Sequence, residues 1–281
     1  MIQRKQNIHH SLVSALPLFL AAALALSACG QAERKNDTIE ETLPQIQIGV
    51  DNLKPFFYID RNGEYAGIDA DLAAEACRRA GYEPVFTEVA WDERDQYLEN
   101  GDLDCLWTAF IMDGREDNYN WTESYLDSDL AVLVDEHSPD KSVEEFQGPG
   151  GVAVRAGSRA EELFLKMKDP KSGEAETVYS CGTFSMAMTA FVKGYANGIA
   201  GHRIVLQQLV DNNPGEYKYL DDHWQKVHLG VAFRKGEESE KYDRIDQALR
   251  EMKADRTIQN IAKQYGMDAD ESGEAAEHEE K

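Results

Sequence analysis

Cysteine is scarce, with four in 281 residues, too few for a disulfide-dense scaffold. Basic residues are also scarce. Lys and Arg number 29 against 52 Asp and Glu, a formal charge of −23. That balance argues against a nucleic-acid partner, because phosphate binding needs clustered cations. There is no Gly-rich phosphate loop, no Gly-x-Ser-x-Gly nucleophile elbow and no dinucleotide-binding Gly fingerprint, which leaves those chemistries without sequence support. No Cys or His spacing fits a zinc site, and neither a metal nor another cofactor is expected. Apolar material is ample. Hydrophobic residues make up 42% of the chain, enough to bury a core, and the length suggests about two domains.

The one sustained apolar run, Leu12 to Leu26, is interrupted by Ser14 and Pro17 and follows Arg4 and Lys5. It is short for a membrane-spanning helix, which needs about 20 apolar residues, and fits an export signal. Leu26-Ser27-Ala28-Cys29 resembles a bacterial lipobox. That resemblance implies removal of residues 1–28 as a lipoprotein signal peptide and lipid attachment at Cys29. The chain would then be anchored to the cell membrane, facing the extracytoplasmic side, and two or three acyl chains would hold it stably. The alternatives are an ordinary signal cut elsewhere or an uncleaved anchor. Residues 29–43 read as a flexible tether, and residues 268–281 as an acidic disordered tail without apolar anchors.

The body of the chain alternates strands and helices. Gln45–Val50 alternates with period two and reads as a strand. Asp60–Glu64 contains the Asn-Gly hairpin signal. Asp69–Ala80 reads as a helix closed by Gly81, Pro84–Val89 as a strand, Asp92–Asn100 as a helix stopped by Gly101, and Leu103–Thr108 as a buried strand. A second set follows, with strands at Gly151–Val154, Glu176–Tyr179 and Gly198–Ala200. Helices lie between and after them at Arg159–Met167, Ser185–Lys193 and His202–Val210. A strand over Val227–Phe233 precedes two closing helices, near Ser239–Ala254 and Thr257–Tyr265. This pattern predicts an α/β protein with two units of similar size.

Six segments, in order and at consistent spacing, carry a family resemblance. They are Asp51-Asn52-Leu53-Lys54-Pro55-Phe56, Gly67-Ile68-Asp69-Ala70-Asp71-Leu72-Ala73, and Leu98-Glu99-Asn100-Gly101-Asp102-Leu103-Asp104. The others are Gly114-Arg115 followed by Trp121-Thr122-Glu123-Ser124-Tyr125, then Gly157-Ser158, then Leu229-Gly230-Val231-Ala232-Phe233-Arg234-Lys235-Gly236. Together they resemble the family 3 extracellular solute-binding proteins, the amino-acid receptors of ABC importers, over about residues 44–267. The resemblance implies a two-lobed periplasmic-binding-protein-like (type II) fold with two hinge strands and a central ligand cleft. Lobe one would span 44–124 plus 230–267 and lobe two 129–226, with hinges at 124–128 and 227–229. It also implies a monomer that closes on its ligand and delivers it to an ABC permease and its ATPase, without catalysis.

The same resemblance assigns ligand-binding roles. Arg115 would grip a ligand carboxylate, a task that suits the planar guanidinium fork, unless it pairs with Glu116 or Asp117 in solvent. Ser158 and Arg159 open a predicted helix whose free N–H groups favour an anion; Ser158 also reads as a cap, and Arg159 faces either the cleft or solvent. Asp51 and Trp91 stand where the family places an acid and an aromatic wall, Trp91 reading equally as packing. Thr108 and Phe110 lie on the segment that lines family clefts, and Phe110 would make the pocket smaller or less polar. His202 stands where the family places the Asp that takes the ligand ammonium. Three accounts follow: another acid such as Asp51 or Glu123 takes the ammonium, the ligand has none beside its carboxylate, or the ligand is dianionic. A His with no ligand role is the fourth. Cys77 and Cys105 read as core residues, and no disulfide is indicated. Two other functions fit the same scaffold: a cyclohexadienyl-dehydratase-like enzyme with His202 and Glu123 or Asp51 as an acid–base pair, or a sensing module docking on a membrane receptor.

Overall fold

The computed structural model describes residues 42–146, 150–167, 177–236 and 239–267. The expected signal, most of the tether and the acidic tail lie outside the described residues, as does Glu176, the start of one expected strand. No described helix is long and apolar enough to cross a membrane.

The chain opens with β1 (Gln45–Val50), a hairpin of β2 (Tyr58–Ile59) and β3 (Tyr65–Ala66), and α1 (Ile68–Ala80). α1 buries a stripe of Ile68, Leu72, Ala73, Ala76, Cys77 and Ala80, the helical spacing of a core face, and ends at Gly81 in the left-handed conformation. β4 (Glu83–Glu88), a 3-10 turn at Trp91–Glu93, α2 (Arg94–Asn100), β5 (Cys105–Leu106) and β6 (Tyr119–Trp121) follow. The expected strand over Leu103–Thr108 is shorter. Hydrogen bonds to β1 run from Asp104 N to Trp107 N and stop before Ala109, which takes a φ of 42° and turns the chain out of the sheet.

β7 (Leu126–Asp135), of which only a hinge segment over 124–128 was expected, carries the chain into a second sheet, and its Leu130–Val134 run is buried on both faces. After it come β8 (Val152–Arg155), α3 (Arg159–Lys166), β9 (Val178–Cys181), α4 (Phe184–Val192), β10 (Gly198–His202) and α5 (Arg203–Asn212). His202, expected to begin α5, is the last residue of β10 and the N-cap of the helix. The single strand expected over Val227–Phe233 is two: β11 (Tyr217–Leu229) and β12 (Ala232–Arg234). They belong to different sheets, and Gly230-Val231 is where the chain leaves one for the other. α6 (Glu240–Ala254) and α7 (Thr257–Gln264) finish the fold. They are fastened to α1 by Arg79–Asp255 at 2.7 Å and by Tyr265 Oη donating to Asp71 at 2.6 Å.

The result is two sheet-containing lobes of an α/β protein. The first sheet runs β4-β1-β5-β12-β6 and the second β11-β7-β10-β8-β9. β1 is parallel to β4 and β5, and β8 is parallel to β9 and β10. The chain crosses between the sheets twice, and the crossings lie side by side. Tyr125 N donates to Leu229 O at 2.9 Å, and Thr122 N donates to Val231 O at 3.1 Å. In open α/β sheets the carboxyl ends of parallel strands are where ligands bind. Here the ends of β1, β5, β8 and β10 converge on one place.

Candidate ligand-binding site

A small cavity of about 20 Å³ sits where those strand ends meet. It is lined by Trp91, Phe110, Arg115, Arg155, Ser158, Arg159 and His202, with Leu53, Ile111, Leu130 and Phe184 closing its apolar sides. That volume suits one water, not an amino acid. A wider recess of about 340 Å³, lined by Asp51, Lys54, Glu88 and Thr183, shares Leu53 and Phe184 with it. Six of the eight residues singled out in the sequence line the small cavity. Asp51 and Thr108 do not. Thr108 is fully buried; its hydroxyl donates to Trp107 O at 2.6 Å and accepts from Asp51 N at 3.1 Å. Asp51 lines the wider recess instead, and its carboxylate accepts from Arg155 Nη1.

The walls are aromatic. The ring of Phe110 meets Trp91 and Trp121 at 4.9 Å each and Tyr119 at 5.2 Å. Guanidinium groups lie over these rings: Arg155 is 4.7 Å from Trp91, and Arg94 and Arg115 are 5.0 and 5.3 Å from Phe110. Such stacking holds a cation in a desolvated place while leaving its N–H edge free to bond.

Arg115 is buried, and it reaches the other lobe. Its Nε donates to Glu162 Oε1 at 2.9 Å and its Nη2 donates to Gly157 O at 3.0 Å. Nη2 also donates to Glu162, which accepts from Arg159 Nη1 at 2.9 Å as well. Burial pushes the Glu162 carboxyl up, but Arg115 and Arg159 outweigh it and hold the group below its usual range. Neither Glu116 nor Asp117 is the partner of Arg115. Glycines permit the close approach of the lobes. A Cβ on Gly114 would lie 2.6 Å from Arg159 Nη1, and one on Gly157 would lie 2.7 Å from Arg94 Nη1. Ser158 caps α3, its hydroxyl accepting from Glu161 N at 3.2 Å.

His202 is enclosed by protein. Its Nδ1 and Ser128 Oγ share a hydrogen bond of 2.9 Å, and its ring lies 5.2 Å from that of Phe56. Burial, helped by the charge of Arg155, pulls its pKa down to about 3 against the backbone of Ala109. It is therefore an uncharged imidazole near neutral pH. Asp69 supports the lining from below. One carboxylate oxygen accepts from Ala109 N at 2.6 Å and the other from Tyr125 Oη at 2.9 Å. Burial nevertheless raises its pKa to about 7 against those two donors.

Arg155, Glu162 and Arg94 were not anticipated. Arg155 had a signal in the sequence: it ends the Val152-Ala153-Val154 run, and an Arg closing a fully apolar strand must have a buried partner. Glu162 had none, because an acid in a helix's first turn is ordinary. Among the described residues, no group of three or more His, Cys, Asp or Glu side chains is placed to hold a metal ion.

Comparison with known proteins agrees with this geometry. Residues 46–268 match the model of the bacterial extracellular solute-binding proteins, family 3. The ABC transporter glutamine-binding protein GlnH of Bacillus subtilis is 26% identical over 88% of this chain and 93% of its own. The histidine-binding periplasmic protein of Escherichia coli is 28% identical over 79% of this chain and 88% of its own. Among solved structures, an ancestral arginine-binding protein bound to arginine superimposes with a TM-score of 0.70 at 25% identity, covering 79% of this chain and 97% of that one. With a buried Arg at the seam of two α/β lobes and a family match across nearly the whole described body, the chain belongs to the bacterial extracellular solute-binding proteins, family 3.

Proposed function

We propose that this chain is a lipid-anchored, extracytoplasmic receptor of an ABC importer, which captures a small carboxylate-bearing solute between its lobes and presents it to a permease and its ATPase. The observation that carries this reading is the cross-lobe cluster of Arg115 in the loop before β6, Arg155 at the end of β8 and Arg159 at the start of α3. It places fork-shaped carboxylate donors on both lobes at once. A solute that bonds to both lobes favours the closed arrangement, so binding shifts a population rather than driving chemistry. The relatives named above bind glutamine, histidine and arginine, which supports an amino acid or a related carboxylate as the solute.

Lobe one takes 44–124 plus 230–267, lobe two takes 129–226, and motion occurs about 124–128 and 227–229. The side-by-side crossings support this division, because among the described residues the backbone bonds beside them, such as Met112 N to His228 O and Gly230 N to Phe110 O, gather at the same place. The anchor rests on the sequence around Cys29 alone.

Thermal unfolding of the purified chain against a panel of amino acids and diacids tests the reading. A solute present at 100 times its Kd adds about 2.7 kcal/mol. We expect one solute class to raise Tm and Arg115→Ala to remove the rise. An undiminished rise without Arg115 would remove that residue from the site.

A further inference from the structure

The charges around the cavity are unequal. Its lining includes Arg115, Arg155 and Arg159, and among the described residues no carboxylate lines it. The carboxylates bonded to the lining guanidiniums stand outside the lining: Asp51 on Arg155, and Glu162 on Arg115 and Arg159. Arg94 lies over Trp91 and Phe110, with its Nε 3.7 Å from the Asp95 carboxylate. The Nε–H groups of Arg94 and Arg159 are buried without a hydrogen-bond partner among the described residues. At the end of β10, where the resemblance leads one to expect an acid, stands His202, enclosed by Ser128 and Phe56 and uncharged. An ammonium entering this cavity meets three guanidiniums, and the two carboxylates beside them are already paired with those cations.

Arg115 and Arg155 stand at two separate places in the lining. Arg115 comes from the loop before β6 and already holds a carboxylate, that of Glu162, through two of its N–H groups. Arg155 comes from the end of β8 and holds another, that of Asp51. The Glu162 carboxylate shows where a ligand carboxylate fits on Arg115 and Arg159, and Arg155 lines the same cavity. We infer that the site, enlarged when the lobes part and Glu162 swings away, takes a small dicarboxylate, with one carboxylate on Arg115 and Arg159 and the second on Arg155. This deepens the receptor reading and rests on it. Both an acidic amino acid and an amino-free diacid carry that chemistry.

Isothermal titration calorimetry at fixed pH and salt decides the matter. The panel is succinate, glutarate, aspartate and glutamate, against glutamine, histidine and arginine. We expect at least one diacid to bind at least tenfold more tightly than any of the last three. The better of the amino-free and amino-bearing arms identifies the source. Arg155→Gln removes charge-assisted bonds and should weaken the best diacid by about ten- to a hundredfold. Because it leaves Asp51 buried and unpaired, the double variant Asp51→Asn/Arg155→Gln is measured beside it, with circular dichroism as the check on folding. Tighter binding of arginine, histidine or glutamine than of every diacid overturns the inference and leaves the receptor reading standing. Binding of nothing in the panel overturns both. A diacid preference that persists in a folded Arg155→Gln variant removes the second seat.

Discussion

Glu162 occupies the fork that a ligand carboxylate needs, so removing its charge should tighten binding. In the structure it accepts from Arg115 Nε and Nη2 and from Arg159 Nη1. Its side chain is 32% exposed, so it can swing toward water when a ligand arrives. Glu162→Gln keeps the shape and one accepting oxygen but removes the charge. A bond to a charged partner is worth about 1.5–3 kcal/mol and a neutral one about 0.5–1.5. Partial exposure screens that difference, leaving roughly 1 kcal/mol less competition for Arg115, or about a fivefold gain in affinity. Calorimetry of the wild type and the variant with the best ligand measures it directly. The unliganded variant should also unfold at a lower temperature, since it loses a bond between lobes, while its ligand-induced rise in Tm grows. Weaker ligand binding by Glu162→Gln would refute the reasoning. It would make Glu162 a ligand contact, the acid that takes an ammonium.

Two buried groups oppose each other in pH dependence. Asp69 has a folded pKa of about 7 against 3.8, so the native state keeps a proton that the unfolded chain releases. Its contribution is complete below about pH 4 and is lost as pH rises toward 7, about 4 kcal/mol in total at 1.36 per unit. Urea unfolding across pH 4.5 to 7.5 should show Asp69→Asn with a more upward slope than the wild type; identical slopes would refute this. His202, depressed to about 3 from 6.5, runs the other way, its contribution present above about pH 6.5 and lost as pH falls toward 3. His202→Asn should therefore lose less stability on acidification than the wild type, by the same assay. Burial pushes the Cys77 thiol up to about 12 and that of Cys105 well above its ordinary value, whereas Cys181 is half-buried. A disulfide-exchange reagent should label Cys181 in the native chain, and Cys77 and Cys105 only in urea. Cys29→Ala should abolish incorporation of labelled fatty acid and release the protein from the membrane fraction; retained label would place the lipid elsewhere.

How much of this was legible beforehand follows from the range of each interaction. The helices carried their own punctuation: α1 stops at Gly81 and α2 at Gly101, both left-handed caps set by local backbone sterics. Strand ends were less legible because partners decide them. Val227–Phe233 is one apolar run, yet Leu229 pairs with Leu126 and Ala232 with Leu106, in different sheets. No periodicity distinguishes the two halves. β7 went unread for a related reason, since its first half alternates while Leu130–Val134 is apolar on both faces. The site divides the same way. Arg115, Phe110 and His202 were reached through the order of motifs, whereas the groups that determine their behaviour are distant in sequence. Arg115 meets Glu162 across 47 residues, and Asp51 meets Arg155 across 104. A buried ion pair costs several kcal/mol per ion in desolvation and holds only when both partners arrive in register. Its stability is therefore a property of two strand ends together, and neither Asp51 nor Arg155 discloses it alone. Loss of one partner by substitution should accordingly cost more than loss of both, a relation that single sequences do not display and that Asp51→Asn, Arg155→Gln and their double variant would measure as a coupling energy.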